Sequence, residues 1–497
     1  MAHYLGIDIG TSSVKTLLMD GNGTVVGTAG ESYPASTPKP LWSEQEPDLW
    51  WNATLNTLKQ IKHDFPVPFS DVQCIGLSGQ MHGAVMLDES LNPVRPAILW
   101  NDGRSHQQAE DMNREFPELG NVAGVPAMSG FTAPKLRWME EHEPDAFKSI
   151  RHILLPKDYV RLKLTGELAT DVSDAAGTLW LDEESREWSD KMLELSRLLP
   201  DQMVTLKEGT EETGQLLAEI ASELGLSTSV TLCAGGGDAA CGAIGIGAIN
   251  QGDAFISLGT SAQYFVTTET YKPYPHALVH SFAHAVPERW FQMACMLNGA
   301  SPLKWFADLT KQDIGELIAD LEADYDPTQP TLFLPYLMGE RTPHNNPFAT
   351  ASFHHMTWAT KGHHMTQAIL EGVGFSLLDC QNAIQESGTK VEFLGAIGGG
   401  TKSRLWLQII ANILGIKILR YEGGESGPAY GAARLAKLCD TGEPVSSVCH
   451  APRVLEEIFP NPEYQAVYKR KYQEFKTLYS EYEKQRSSRV GASYVHL

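Results

Sequence analysis

The chain has 497 residues, of which 39 are basic and 61 acidic, for a formal net charge of −22. A hydrophobic fraction of 42% beside 20% charged residues is the balance of a chain that buries ordinary cores, which excludes disorder for the bulk. The length points to two or three domains. So acidic a chain lacks the clustered Lys and Arg that displace counterions from a phosphate backbone, which argues against a nucleic-acid partner.

From the N-terminus, Tyr4-Leu5-Gly6-Ile7-Asp8-Ile9 is a short β-rich run, Gly10-Thr11-Ser12-Ser13 breaks it, and Val14 to Met19 resumes it. Asp20-Gly21-Asn22-Gly23 is a turn cluster before Thr24-Val25-Val26-Gly27. The segment therefore reads as a β-meander and not as a strand-to-helix phosphate loop. Asp8 falls where a signal peptide needs an unbroken apolar stretch. Cys74 to Gln80 is a further apolar strand ending in a Gly-rich turn. Leu232 to Ile249 is the most apolar long run, but its glycines and Asp238 argue against a membrane span.

Ile256-Ser257-Leu258-Gly259-Thr260-Ser261 then repeats Ile7-Asp8-Ile9-Gly10-Thr11-Ser12 at an offset of 249, about half the chain. Phe393 to Gly400 pairs in the same way with Cys74 to Gln80. The repeat predicts a duplicated α/β protein of two domains, residues 1–246 and 247–497, divided near the turn Asn250-Gln251-Gly252-Asp253. After Pro460-Asn461-Pro462, aromatic residues at three- and four-residue spacing predict a helix over 462–485 docked on the body, followed by a loose end of about a dozen residues. The seven cysteines are scattered without a Cys-x-x-Cys pair, as reduced thiols of a cytoplasmic protein would be.

Several familiar sites fail on inspection. Gly395 to Ser403 approaches a Walker A loop, but Thr401 inserted before Lys402 would move the lysine off the phosphates. Gly235 to Ala240 fits the looser dinucleotide fingerprint, yet Asp238 would oppose a pyrophosphate. His276, His280 and His284 are four apart in a β-rich stretch, so they do not share a helix face. What remains are two Gly-Thr-Ser turns, whose backbone N–H groups can cradle phosphate oxygens, and two aspartates. Asp8 sits at the strand end before the first turn, and its copy in the second half is Ser257. That asymmetry suits one Mg²⁺ between two phosphate-gripping turns, and it suits equally an aspartate that merely stabilises a turn. Asp238, at a glycine-preceded helix start, reads either as a helix cap or as a base held ionised by the helix dipole.

Taken in order, these segments resemble the FGGY family of carbohydrate kinases. The resemblance rests on Gly6 to Ser12, Gly79-Gln80-Met81-His82-Gly83, Leu99-Trp100-Asn101-Asp102-Gly103-Arg104 and Gly130 to Lys135. It continues through Leu155 to Tyr159, Gly235 to Asp238, Ser257 to Ser261, Gly339 to Asn346, His364 to Gly372 and Gly398-Gly399-Gly400, and runs from Tyr4 to about Leu435. It implies two ribonuclease-H-like, actin-like ATPase domains around a central cleft. The first would hold the sugar and the catalytic base, the second the nucleotide. The motif set sits nearest the members that use ATP to phosphorylate D-xylulose at its C5 hydroxyl; another ketose or polyol (ribulose, L-xylulose, glycerol) and a non-enzymatic actin-like clamp are the alternatives.

By the same resemblance Asp238 is the general base and Asp8 organises Mg²⁺ through water. Met81, His82, Trp100 and Asn101 join Asp238 on the sugar. Gly10, Thr11, Ser12, Ser13, Lys15, Gly259 and Thr260 grip phosphates, and Gly398, Gly399, Gly400 and Asn412 hold adenosine. It implies no membrane partner and allows a homodimer. One departure stands out: Ala239 follows the base where family members of this kind commonly carry Asn. That puts the exact sugar in question, not the reaction.

Overall fold

The structure, a computed structural model, describes residues 2–422 and 427–493, with side chains to residue 486. β1 (His3–Ile9), β2 (Ser13–Asp20) and β3 (Val25–Ser32) form the antiparallel meander that the opening residues predict. β4 (Val72–Gly79) joins β1 in parallel. With β5 (Glu212–Gln215), β6 (Thr231–Cys233) and β7 (Gly236–Gly237) they make a seven-stranded sheet ordered β5-β6-β4-β1-β2-β3, in which β7 extends alongside β4. The second sheet comprises β8 (Ala254–Leu258), β9 (Ala262–Thr268), β10 (His280–Ala283), β11 (Trp290–Met296), β12 (Phe393–Ile397), β13 (Lys417–Tyr421) and β14 (Val454–Ile458), ordered β10-β11-β9-β8-β12-β13-β14.

Pairing senses repeat strand for strand. β8 is antiparallel to β9 and parallel to β12, as β1 is to β2 and β4. Each sheet continues in parallel (β4 to β6, β12 to β13) and ends on an antiparallel edge strand; the short β7 and the edge strand β10 have no counterparts. The six-residue repeat in the sequence is thus the local trace of a duplicated ribonuclease-H-like sheet.

Strand alternation decides what each face meets. Leu5, Ile7 and Ile9 point into a core with Trp50, Leu58 and Ile61 of α1 (Pro47–Asp64). α2 (Pro156–Thr165) and the short α3 (Val172–Ala175) pack beside β4 and β7. The opposite face of β1 carries Tyr4, Gly6 and Asp8 and meets a helix from far along the chain, while α4 (Asp238–Gly245) packs on the neighbouring β4. The second sheet is covered by α5 (Gly362–Glu386) and α6 (Arg404–Leu414). α7 (Gly427–Thr441) then crosses back onto β1, β4 and α4.

That crossing is made of small residues. A Cβ on Gly6 would overlap the Ala429 carbonyl, one on Gly76 the Ala432 carbonyl, and one on Gly431 the Cys241 carbonyl. Glycine here permits backbone-to-backbone approach. Arg434 ties the helices by donating to the carbonyls of Ile244 (2.9 Å) and Gly245 (3.3 Å).

The expected terminal helix is present but shifted and longer: a 3₁₀ turn at Pro462–Tyr464 leads into α8 (Gln465–Ser493). Tyr468, Tyr472 and Phe475 of α8 are buried against Phe375, and Lys471 pairs with buried Glu371. The dozen residues expected to be loose are helical as far as Ser493, and 494–497 lie outside the described residues. All seven cysteines are unbridged. Among the described residues no helix is long and apolar enough to cross a membrane.

Candidate active site

Asp8 lies in register between Lys15 on β2 and Ser78 on β4, and Ser78 Oγ donates to its Oδ1 at 3.0 Å. Burial pushes its carboxyl up to about 6, against the opposing pull of the Ser78 hydrogen bond and the Lys15 charge. Asp238 is the first residue of α4, just after Gly237, and its Oδ1 accepts the Ala239 N–H at 2.7 Å. Burial and then the negative charge of Asp8 push the Asp238 carboxyl up to about 7. The expectation of a base held ionised by the helix terminus is therefore corrected: desolvation and a like charge outweigh the favourable N–H. A carboxyl in that state is poised to exchange a proton at neutral pH. The approach to it depends on Gly235, whose φ is +76° and whose Cβ would overlap the Leu77 carbonyl.

On one side of these carboxylates stand Met81 and His82, immediately after β4. Met81 is buried, and the Cβ positions of Gly237 and Gly177 both abut its side chain. His82 holds φ +68°, an uncommon conformation for a residue with a side chain, of the kind retained where the surroundings over-determine it. Its Nδ1 lies 2.7 Å from the Gly177 carbonyl and its ring 4.4 Å, centroid to centroid, from that of Phe131. A carbonyl only accepts, so Nδ1 carries the proton and Nε2 keeps its lone pair. Burial pushes the His82 pKa down to about 3, so the ring is neutral.

His82, Trp100, Asn101 and Phe131 line a cavity of about 710 Å³ whose other wall, including Leu297, Glu340 and Arg341, comes from the second half of the chain. Trp100 Nε1 donates to Thr11 Oγ1 (2.9 Å), which donates to Gln80 Oε1 (3.0 Å). The Thr11 hydroxyl is thus engaged in joining the first Gly-Thr-Ser turn to the cavity wall. The Gly10 carbonyl accepts from Tyr33 Oη at 2.5 Å, and Tyr33 N–H donates to Ser12 O at 3.0 Å, which fixes the Gly10–Ser13 turn beside Asp8.

On the other side, Gly259, Thr260, Gly399 and Gly400 line an apolar cavity of about 550 Å³ with Leu303 and Trp406. The Gly259 and Thr260 carbonyls accept the N–H groups of Ala300 (2.7 Å) and Gly299 (3.0 Å), which sets the second turn. A third cavity, of about 300 Å³, is bounded by Asp238, Ala239, Ser257, Gln263 and Gly398. Gly398 has φ +92°, and a Cβ there would press on the Leu258 carbonyl. The structure thus brings Asp238, Ala239 and Gly398 to one cavity, Gly399 and Gly400 to the apolar one, and His82, Trp100 and Asn101 around the largest of the three.

Asn412 does not join them. It is buried in α6, where its Oδ1 accepts the Asn461 N–H (2.7 Å) and Gln408 Nε2 (3.1 Å), so it anchors the chain ahead of α8 and lines none of the three cavities. Sequence reasoning missed Gly177 and Ser173. Ser173 Oγ accepts the Gly237 N–H at 3.1 Å and donates to Asp171 at 2.5 Å, and Asp171 is held by buried Lys157 at 2.9 Å. One short segment thus supports both His82 and the residue before Asp238. Its signal is a backbone carbonyl and a hydroxyl, which no motif reports.

Among the described residues no group of three or more His, Cys, Asp or Glu is arranged to hold a metal ion. One or two carboxylate oxygens, from Asp8 and Asp238, suit Mg²⁺, which prefers few protein ligands and completes its shell with water and substrate phosphates.

The chain belongs to the FGGY family of carbohydrate kinases: the family's N-terminal domain matches residues 3–245 and its C-terminal domain residues 254–438. It is a sugar kinase, a phosphotransferase whose co-substrate is ATP. It is 44% identical to the xylulose kinase of Escherichia coli K12 over 96% of this chain and 99% of that one. It is 45% identical to the xylulose kinase of Klebsiella pneumoniae over 87% and 89% respectively. A crystal structure described as a xyloylose kinase from Brucella ovis superposes with a TM-score of 0.95 at 41% identity, covering 97% of this chain and all of that one.

Proposed function

We propose that this chain transfers the γ-phosphoryl group of ATP to the C5 hydroxyl of D-xylulose, giving D-xylulose 5-phosphate. The observation that carries the reading is Asp238, a carboxyl raised to about 7 that lies beside Asp8 and bounds one cavity with Gly398. The named activity of relatives alike over nearly their whole length supports the choice of sugar.

In this reading residues 1–246 hold the sugar and the base, and residues 247–497 hold the nucleotide. Met81, His82, Trp100 and Asn101 orient the sugar, and the His82 Nε2 lone pair accepts from one of its hydroxyls. Asp238 aligns the C5 hydroxyl and takes its proton as the new P–O bond forms, while the bond to the β-phosphate oxygen breaks and ADP leaves. Phosphoryl transfer has a loose transition state, so alignment and charge stabilisation do most of the work. Gly10 to Ser13, Lys15, Gly259 and Thr260 hold phosphate oxygens through backbone N–H groups, hydroxyls and one ammonium. Gly398 to Gly400 leave room for adenosine. Asp8 would hold Mg²⁺, which would supply charge neutralisation to the phosphates when bound.

Ala239 favours one second reading. Its methyl group bounds the cavity beside Asp238 and offers no amide to a sugar hydroxyl, so a different ketose is the alternative substrate. ADP release measured against D-xylulose, L-xylulose, D-ribulose, L-ribulose and glycerol separates the cases. The highest kcat/KM is expected with D-xylulose. A preference for ribulose would establish the second reading, and ADP release that no sugar stimulates would overturn both.

A further inference from the structure

We infer that Arg341 is a specificity-determining residue of the sugar site, its guanidinium gripping the carbonyl-bearing end of an open-chain ketose from the second half of the chain. The inference rests on the reading of the larger cavity as the sugar site.

Arg341 lines that cavity opposite His82, Trp100, Asn101 and Phe131. Its charge adds to burial in lowering the pKa of both His82 and His280, so it lies near both imidazoles. Among the described residues it forms no ion pair, whereas Arg104 pairs with Glu44 and Asp102, Arg161 with Asp158 and Arg186 with Glu208. The adjacent carboxylate is already committed. Glu340 Oε1 accepts the N–H groups of Leu297 and of Arg341 itself, both at 2.8 Å. The Cys295 thiol, a weak acceptor, lies close enough for the Arg341 charge to oppose the upward push of burial on its pKa. A guanidinium that lines the cavity without an ion-pair partner among the described residues suits an acceptor-rich ligand.

The segment that carries Arg341 is fixed in advance. Glu340 and Asn346 exchange backbone hydrogen bonds at 2.9 and 2.8 Å, and Thr342 N–H donates to Cys295 O at 3.0 Å. Adjacent C1 hydroxyl and C2 carbonyl oxygens present two neighbouring acceptors that match a guanidinium fork. Across the cavity His82 Nε2 accepts but cannot donate, so the pair reads acceptors on one side and a hydroxyl proton on the other. In this proposal Arg341 meets the carbonyl end of the sugar, while Asp238, next to Gly237 and Met81, meets the reacting hydroxyl.

The test is steady-state kinetics of Arg341→Gln and Arg341→Lys with D-xylulose and with xylitol, the same carbon skeleton with its carbonyl reduced. Loss of a hydrogen bond from a charged group predicts a rise in KM for the ketose of about 10–100-fold in Arg341→Gln. KM for ATP and the melting temperature should stay near wild type, the preference for ketose over pentitol should shrink, and Arg341→Lys should recover part of the loss. A merely structural role would move KM for ATP and the melting temperature together with KM for the sugar. Ketose KM within twofold of wild type in both variants would overturn the assignment, as would an unchanged ketose-to-pentitol ratio. Wild-type turnover on D-xylulose, measured first, tests the proposed function separately.

Discussion

Burial and the neighbouring Asp8 charge raise the cost of ionising Asp238, and the consequence is measurable in the pH dependence of activity. With Asp238 titrating at about 7, kcat/KM for the sugar should fall as pH drops through that value, because the protonated carboxyl cannot accept the hydroxyl proton. The Asp8 charge is the second cause of the shift. In Asp8→Asn, therefore, the Asp238 carboxyl should titrate at lower pH than in wild type when followed by carbon NMR; an unchanged titration would remove Asp8 from the account.

The same shift has a sign for stability. The folded pKa of Asp238 lies above its ordinary value of 3.8, so ionisation opposes folding. That cost is full above about pH 7, shrinks as pH falls, and is gone below the unfolded value. Asp238→Asn should accordingly melt higher than wild type at pH 8, by about 2–4 °C for about 1 kcal/mol regained at a half-buried site, with no gain near pH 4. A lower melting temperature at pH 8 would contradict the desolvation argument. At this scale the sequence was legible where a motif carried a side chain, as at Asp8, His82 and Asp238. At Asn412 the structure shows the side-chain oxygen on the Asn461 backbone, and the sequence was silent on Gly177 and Ser173, whose roles exist only once distant segments meet.

Among the elements, the meander, the strand ends and the terminal helix follow from local alternation and spacing, and these were readable from the chain alone. The docking of α7 across β1, β4 and α4 was not. Contacts between glycines, alanines and backbone leave no hydrophobic periodicity to read. They are exacting all the same. Gly431→Ala would drive a Cβ into the Cys241 carbonyl and should destabilise the protein by about 1–3 kcal/mol or more. Gly242→Ala, on the same α4 but with open space at its Cβ, should be neutral or stabilising by up to about 1 kcal/mol. Urea denaturation of both variants checks the pair, and equal effects would show that the close crossing does not limit α7 docking.

At the scale of the whole molecule, duplication supplies two similar sheets and divergence makes them unlike where it matters. β1 presents Asp8 on the face that meets α7, and β8 presents Ser257 at the equivalent place. In the proposed mechanism a single carboxylate at that pair of positions, with Asp238 beside it, distinguishes the phosphoryl-transfer site from a symmetric clamp. The repeat in the sequence announced this asymmetry. Which cavity wall belongs to which half emerged only from the fold, since Arg341 and His82 are far apart in the chain and share one cavity.

The most direct measurement is the rate of ADP release by Asp238→Asn with saturating D-xylulose and ATP, set beside wild type. The account predicts a loss in kcat of about 10²–10⁴-fold with KM for ATP within twofold, as removal of a general base requires. Turnover near the wild-type rate would mean that the hydroxyl proton goes elsewhere, and Asp238 would lose its place in the chemistry.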